Sequence, residues 1–504
     1  MIEKEFCSFY NQSHNKIINK CTLNINSILL GKEGEMKDKQ MKVYESDNLW
    51  ASVLKMVIPA LIAIMVMLIY NMADMIFVGQ TGDTAQVAAV SVVSPIFNII
   101  MAVAMLISGG GTVIISKDLG AKDLEHAKMV SSLCMWTAVI LGIVSGAVII
   151  ALNKPLLAFL GATTDIEGYA RNYMIILAMG APFLLLTNML GQVMRAEGAM
   201  KEGLIGNLMG TIINIILDPI FILVLGMGVT GAAIATVIGN MAATVYYGLY
   251  MKKKAVVLNM KPHYAIIKPA YILSVMALGL PNAVSTLLSG LSNSFANQLL
   301  AKYGSDSIAA NAAAGRVNMI IVMILMGICM GAQPLLSYNY GAGNRKKLAG
   351  VMKILLILTS SVGAITTVLV VVLRSSIIAL FLKEQAVAAI SEGILTVLMI
   401  SSPFLGFFFL GTNFLQATGS AMKATFISVL QKGLLLTPML FILEKIYGFF
   451  GIRLAYVVAD FGAIIISCIF MICEWKRISG KNHVSNKANR REVDDSGKTI
   501  ASLS

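Results

Sequence analysis

The run SVLKMVIPALIAIMVMLIYNMADMIFVG, from Ser52 to Gly79, decides the fold of this chain. It exceeds the roughly 20 apolar residues that a helix needs to cross a bilayer, and comparable runs recur as far as Cys473. Of the 504 residues, 57% are hydrophobic and only 13% are charged, whereas soluble domains carry about 25% charged residues. Backbone groups in lipid must bond within their own segment, and these runs lack the alternation of barrel strands. The sequence therefore predicts an all-α integral membrane protein.

We expect twelve spans, with the ranges 52–79, 86–115, 129–152, 169–194, 202–226, 229–251, 268–301, 307–335, 348–373, 391–417, 424–444 and 450–473. Alternate loops are basic and hold Lys117, Lys122, Lys128, Arg195, Lys201, Lys252, Lys253, Lys254, Lys261, Lys268, Arg345, Lys346, Lys347, Lys353 and Lys423. By the positive-inside rule these loops and both termini are cytoplasmic, in a multi-pass protein of the bacterial inner membrane. Lysines that face anionic lipid explain the net charge of +13 without nucleic acid.

The ends of the chain are polar. Residues 1–50 contain no apolar core for a signal peptide and are predicted to form a disordered cytoplasmic extension, while 475–504 are predicted to be a cytoplasmic tail. Between them we expect a first lobe at 51–251, a cytoplasmic linker at 252–268 and a second lobe at 269–474. The six cysteines show neither metal-ligand spacing nor a logic of pairing.

The chain repeats itself at an offset of 221 residues. Gly120-Ala121 aligns with Gly341-Ala342, Pro182-Phe183 with Pro403-Phe404, and RAEG at 195–198 with QATG at 416–419. Each copy holds six spans, so both copies enter the membrane from the same side. Two pseudo-symmetric six-helix bundles of this kind are a transporter architecture, with the substrate site between them near the midplane.

The stretch NIILDPIFIL, from Asn214 to Leu223, places an amide, a carboxylate and a proline inside an apolar helix. A central Asp in a span costs roughly 2.5 to 3.5 kcal/mol. Asn214 and Asp218 are four residues apart and share a helix face, and Pro219 leaves a carbonyl oxygen without its donor. At about 1.5 Å per residue, Asp74 lies about 8 Å from the predicted outer end of its span, Thr236 about 10 Å, Asp218 about 12 Å and Asn214 about 18 Å.

These side chains place oxygen atoms from three helices in one layer, as a proton relay or a hard cation such as Na⁺ requires. The alternative is an Asp that only hydrogen-bonds a neighbouring helix. The repeat argues against that alternative, because it aligns Leu435, Met439 and Val457 with Asn214, Asp218 and Thr236, and Ala296 with Asp74. The second half thus keeps the scaffold without these polar groups.

Asp460 is a further acid, in the last span. Two roles are open for it: it faces the central cavity and attracts cationic substrate, or it pairs with Arg316 in the eighth span. Motifs of enzymes and nucleotide-driven pumps are missing from the sequence. There is no P-loop, His-Glu-x-x-His or Gly-x-Ser-x-Gly motif, so we expect no enzyme, no catalytic residue and no cofactor other than a coupling ion.

Six motifs in order resemble bacterial multidrug and toxic compound extrusion (MATE) transporters, and among them the MepA-like multidrug exporters. They are NMADMIFVG at 71–79, LGAKD at 119–123, RAEGAMK at 195–201, NIILDPIFI at 214–222 followed by GVTGAAIATVI at 228–238, and QATGSAMKAT at 416–425. The likeness extends from about Leu49 to Cys473, and the amino-terminal extension falls outside it.

The resemblance implies a two-lobed antiporter that exchanges cationic drugs for Na⁺ or H⁺ by alternating access. It also implies that Asp74, Asn214, Asp218 and Thr236 form the cation-coupling site, as the ligands of Na⁺ if that is the coupling ion. Asn71, Asp460 and Arg316 are candidates for the substrate cavity. Other branches of the family place coupling acids in the seventh span, where this chain has Ser and Asn, at Ser285, Ser289, Ser292 and Asn293.

Two other functions are alternatives for a membrane protein of this kind. A lipid-linked oligosaccharide flippase of the same superfamily would line its cavity with Arg, and intramembrane Arg is nearly confined to Arg316. A membrane-embedded enzyme would need a nucleophile or metal constellation, which the motifs do not supply. We therefore expect a monomeric multidrug exporter whose partners are small organic cations and membrane lipid.

Overall fold

The computed structural model describes the backbone of residues 42–255, 257–258, 264, 270–382 and 384–501. It describes their side chains except at 71–76, 84, 254, 270, 305 and 481–501. The predicted amino-terminal extension, apart from 42–50, and most of the predicted linker lie outside the described residues.

The described chain is almost entirely helical. The helices are α1 (Leu49–Gly79), α2 (Thr84–Gly120), α3 (Leu124–Ala151), α4 (Asn153–Phe159), α5 (Thr164–Ala196), α6 (Met200–Pro219), α7 (Gly228–Lys254), α8 (Ala270–Ala301), α9 (Ser305–Gly341), α10 (Arg345–Ala379), α11 (Gln385–Leu398), α12 (Leu405–Ala417), α13 (Ala421–Val429), α14 (Thr437–Tyr447) and α15 (Phe449–Ala501). In the part of the chain that the structure describes, eleven helical segments are long and apolar enough to cross a membrane.

The tenth span is broken in two. Helices α11 and α12 are joined by turns at 399–404, where Pro403 cannot donate a backbone hydrogen bond and disfavours helix at Ser402. With this broken span the total is twelve, and the predicted fold of two six-helix bundles is confirmed.

Two spans contain π-helical turns. In the fifth span, the π turn Ile220–Val224 directly follows Pro219, which supplies no backbone donor. In the eleventh span, the π segment Leu430–Leu436 lies before Pro438. Because the irregular turn stands on opposite sides of the proline in the two halves, a single offset of 221 cannot align every residue of these two spans.

The last helix is longer than predicted. We expect its span to end at 473, but α15 continues to Ala501, through the predicted tail. Glu474 and Ile478 are buried, and Trp475 packs against the core. The helix therefore packs against the rest of the protein beyond the predicted end of its span.

The two bundles meet through α1 and α2 of the first and α8 and α9 of the second. A Cβ atom on Gly110 would lie 1.8 Å from the carbonyl oxygen of Val275, and one on Gly279 would lie 1.8 Å from that of Leu106. Only glycine permits such an approach of two backbones. These contacts lie toward the end of the molecule that holds the loops 121–123 and 342–344, which we call the closed end.

Farther from the closed end, the same helix faces separate. On α2 the face of Leu106 and Gly110 continues through Ile99, Pro95 and Ser91, which are exposed. On α8 the corresponding face continues through Gly290, Asn293 and Asn297, which are also exposed. The bundles therefore enclose a cleft that opens at the end opposite the closed end.

Tyr44, just before α1, joins the two bundles at the closed end. Its hydroxyl group donates to the carbonyl oxygens of Arg195 (3.0 Å) and Ala196 (2.8 Å), and its ring stacks on Tyr338 of the second bundle with 4.5 Å between centroids. Lys347 donates to the carbonyl oxygen of Glu45 at 2.7 Å. Burial raises the pKa of the Tyr44 phenol above its usual value, so the phenol remains a donor.

We expect Tyr44→Phe to lower the free energy of unfolding by about 1 kcal/mol, because the hydrogen bonding of the phenol to the carbonyl oxygens of Arg195 and Ala196 is lost while the ring stack remains. Unfolding of the purified protein in detergent measures this. Tyr447→Phe is the matched control, since Tyr447 is 58% exposed. Equal destabilisation by the two substitutions would contradict the role given to the Tyr44 hydroxyl.

Candidate cation-coupling site

Helix α6 supplies the first two groups of the site. Asn214 is 3% exposed and Asp218 is fully buried, one helical turn apart on the same face. The Asn214 amide donates to Asp218 Oδ1 at 3.4 Å. The rest of this helix is rich in Leu, Ile and Met, so the two polar side chains point into the bundle while Ile212 and Ile216 remain exposed.

Helix α7 adds Thr236. Helices α6 and α7 pack closely because Gly210 and Gly239 face each other, and a Cβ atom on Gly239 would lie 2.5 Å from the carbonyl oxygen of Gly210. This approach brings Thr236 Oγ1 to 3.4 Å from the Asn214 amide nitrogen. Thr236 is buried, so three of the four predicted coupling residues come together.

Helix α1 contributes a residue that the sequence analysis missed. The hydroxyl oxygen of Tyr70 lies 3.2 Å from Thr236 Oγ1, which makes α1 the third helix of the site. The signal in the sequence was the spacing, since Tyr70 precedes Asp74 by one helical turn. The side chains of Asn71 and Asp74 lie outside the described residues, and their roles stay predictions.

The polar atoms of the candidate site are oxygen atoms and one amide nitrogen, and only the oxygen atoms can bind a cation. In the described part of the chain, Asn214 Oδ1 is buried and accepts no hydrogen bond, so it is available to a ligand. Among the described residues, no cluster of three His, Cys, Asp or Glu side chains is arranged for a metal ion. One carboxylate with neutral oxygens suits a small hard cation or a proton better than a tightly held transition metal.

The start of α7 is fixed to α2 near the site. Gln86 Oε1 accepts from the backbone N–H of Val229 at 2.9 Å, and the Gln86 amide donates to Asp83 at 3.3 Å. Burial alone would raise the pKa of Asp83, but hydrogen bonds from Ala85, Gln86 and Tyr169 hold it below its usual value. Asp83 therefore remains ionised and keeps this anchor in place.

The second bundle holds the remaining candidates. Asp460 accepts hydrogen bonds from Ser401 at 2.8 Å and from Gln431 at 2.9 Å. The ion pairs found among the described residues do not join it to Arg316, which is exposed on α9. The role of Asp460 in the substrate cavity, and that of Arg316, stay predictions.

Comparison with known proteins identifies the family. The family model MatE matches residues 59–220 and again 279–442. The chain is 31% identical over 425 residues to "Multidrug export protein MepA" of Staphylococcus aureus strain N315, with 84% of this chain and 94% of that protein covered. The protein of the same name from Staphylococcus saprophyticus is 30% identical over the same length and shares.

Solved structures share the fold. "Crystal structure of MATE in the bent conformation" superposes with a TM-score of 0.82 at 22% identity, covering 89% of this chain and 99% of that one. An "Outward-facing conformation of a multidrug resistance MATE family transporter" superposes with a TM-score of 0.81 at 22% identity, covering 88% and 98%. Together with the family model and the relatives, they confirm the resemblance seen in the sequence. The chain belongs to the MatE family, and is thus a multi-pass membrane protein of the multidrug and toxic compound extrusion transporters, which are not enzymes.

Proposed function

We propose that this protein exports organic, mainly cationic drugs in exchange for Na⁺ or H⁺, and that Asn214, Asp218 and Thr236 bind the coupling ion. The observation that carries the proposal is the convergence of buried polar groups from α6 and α7 with the half-buried Tyr70 hydroxyl of α1 inside the first bundle. Position 74 follows Tyr70 by one turn of α1, a spacing that repeats a helix face. We therefore propose that Asp74 also belongs to the site of the coupling ion.

The orientation follows from charge. The closed end carries the loops rich in Lys and Arg, so the positive-inside rule assigns it to the cytoplasm. The cleft then opens to the outside, and the structure corresponds to the state that releases drug. Alternating access requires a second state, in which the contacts of Gly110 and Gly279 part and the outer halves of the bundles approach each other.

Coupling follows from linkage between the two ligands. A cation that enters from outside neutralises Asp218 and competes for the oxygen atoms that Asn214, Thr236 and Tyr70 now share. Rearrangement at Tyr70 shifts α1, which packs against α9 of the second bundle. The ion and the drug are expected to favour different arrangements of the bundles. In that case the ion weakens drug binding and the drug weakens ion binding by the same factor.

The substrate class rests on the relatives. They carry the name "Multidrug export protein", and their similarity extends over most of both chains. A flippase for anionic pyrophosphate lipids would need several cationic groups in the cleft, which the described spans do not provide. We therefore favour drug export over lipid flipping.

Transport in vesicles tests the proposal. Purified protein is reconstituted into liposomes with ethidium at equal concentrations inside and outside, and a Na⁺ gradient or a pH gradient is imposed in separate runs. We expect ethidium to move against its own gradient with at least one of the two ions. Transport that depends on neither gradient would contradict the antiport.

Labelled Na⁺ identifies the coupling ion. Saturable binding to the purified protein that weakens as pH falls would support Na⁺ with proton competition. Absence of Na⁺ binding, together with transport driven by pH, would support a proton alone.

A further inference from the structure

Lys432 carries a charge in the middle of the eleventh span, and the transport scheme above does not use it. It is the twelfth residue of the 27-residue segment Ala421–Tyr447 and lies in the π segment Leu430–Leu436. At about 1.5 Å per residue, it is about 16 Å from the closed end, near the midplane of a hydrocarbon core roughly 30 Å thick. A lysine stem of four carbons does not reach either headgroup layer from there.

The Lys432 ammonium has no protein partner in the described part of the chain. None of the ion pairs found there includes it, and it donates none of the side-chain hydrogen bonds. The residue is half-buried. An unpaired charge at this depth requires contact with water, because a lysine in lipid at the midplane is strongly disfavoured. On the inner side of the span, the cleft between the bundles can provide that contact.

Its neighbours place Lys432 on the inner side of the span. Phe426 and Leu434, at 46% and 55% exposure, mark the outward side. Gln431 points into the bundle and donates to Asp460 at 2.9 Å. The carbonyl oxygen of Lys432 accepts from Ser292 on α8, the helix that borders the cleft, at 2.7 Å.

Asp460 lies at the same depth with the opposite charge. Because Gln431 is bonded to it, its carboxylate is level with the backbone next to Lys432. Its two oxygen atoms accept from the neutral donors Ser401 and Gln431, so no direct ion pair in the described chain cancels its charge. Asp460 is half-buried. One inner surface of the second bundle thus presents a positive and a negative group at one level.

We propose that Lys432 and Asp460 form a two-charge binding site for compounds that carry a carboxylate as well as an ammonium group. Lys432 receives the carboxylate and Asp460 attracts the ammonium. The inference rests on the proposed export function and narrows its substrate class. A simple cation interacts favourably only with the Asp460 carboxylate. A zwitterion gives both Lys432 and Asp460 an oppositely charged partner.

A pair of dyes separates the two charges. Rhodamine 110 carries a free carboxylate, and rhodamine 123 is its methyl ester, with the same cationic ring system. Binding of each dye to the purified full-length protein is measured by fluorescence anisotropy. We expect Lys432→Gln to weaken binding of rhodamine 110 by about tenfold, as loss of a charge-assisted hydrogen bond does, and to leave rhodamine 123 within about twofold.

Three further variants sharpen the test. Lys445→Gln, at an exposed lysine of the same span, is expected to change neither dye. Lys432→Arg is expected to retain binding of rhodamine 110, and Asp460→Asn to weaken both dyes. Equal effects of Lys432→Gln on the two dyes, or no binding of rhodamine 110 by the parent, would overturn the site. Ethidium export by the parent is scored separately, so that failure of the two-charge site is distinguished from failure of the export function.

Discussion

Asp218→Asn is expected to reduce ion-driven drug efflux at least tenfold, which corresponds to about 1.4 kcal/mol or more, while the protein remains folded. The substitution conserves shape and removes the only charge in the described site. An amide neither takes up a proton in this pH range nor balances the charge of Na⁺. Efflux of ethidium from cells that express the variant measures the effect, with the amount of membrane-inserted protein as the reference.

Asp165→Asn is the matched control. It makes the same chemical change at an exposed acid of the first bundle, in the first turn of α5, and we expect efflux within about twofold of the parent. Ethidium binding to the purified Asp218→Asn protein should persist, because the drug site is not the ion site. Unchanged efflux by Asp218→Asn would remove this carboxylate from the coupling scheme.

Gly279→Ala is expected to separate the bundles at the closed end. Its Cβ atom would lie 1.8 Å from the carbonyl oxygen of Leu106 and 2.8 Å from its Cα atom. Those atoms are backbone and cannot turn aside as a side chain does. Overpacking of this kind costs about 1–3 kcal/mol, and here the whole cost falls on the state with the closed end packed.

Spin labels on the two sides of the closed end measure the separation, and thermal unfolding in detergent measures the stability. Gly290→Ala is the matched control on the same helix, because no atom lies within 4 Å of the added methyl group. We expect a longer distance between labels, a lower melting temperature and weaker efflux for Gly279→Ala alone. Identical results for the two variants would show that this contact does not hold the bundles together.

The sequence predicted the features that depend on composition and long patterns. Twelve apolar runs were enough to predict the two-bundle fold, because a bilayer allows few alternatives for such segments. The spacing of Asn214 and Asp218 was enough to place both on one helix face. Thr236 joined them in the prediction through its depth in the membrane, and the structure brings its hydroxyl group to Asn214.

Other features depend on local backbone irregularity, which apolar patterning does not reveal. The break at 399–404 follows from Pro403, whereas the aligned Pro182 stands inside an unbroken α5. A proline at the aligned position therefore accompanies a broken helix in the second half and an unbroken helix in the first. Lys432 was not predicted to lie in the site, because a single lysine in an apolar run does not show whether it faces lipid or the inside of the bundle. Tyr70 was missed because a tyrosine in an apolar run ordinarily serves packing.

The contacts of Tyr44 join the two bundles at a place outside the proposed drug and ion sites, and the proposed transport cycle requires these contacts to break. Parting the bundles there would separate the Tyr44 phenol either from the ring of Tyr338 in the second bundle or from the carbonyl oxygens of Arg195 and Ala196 in the first. We therefore expect the few residues ahead of the first span to limit the rate of the proposed cycle, and a tag fused close to them to change the rate of transport but not the range of compounds transported.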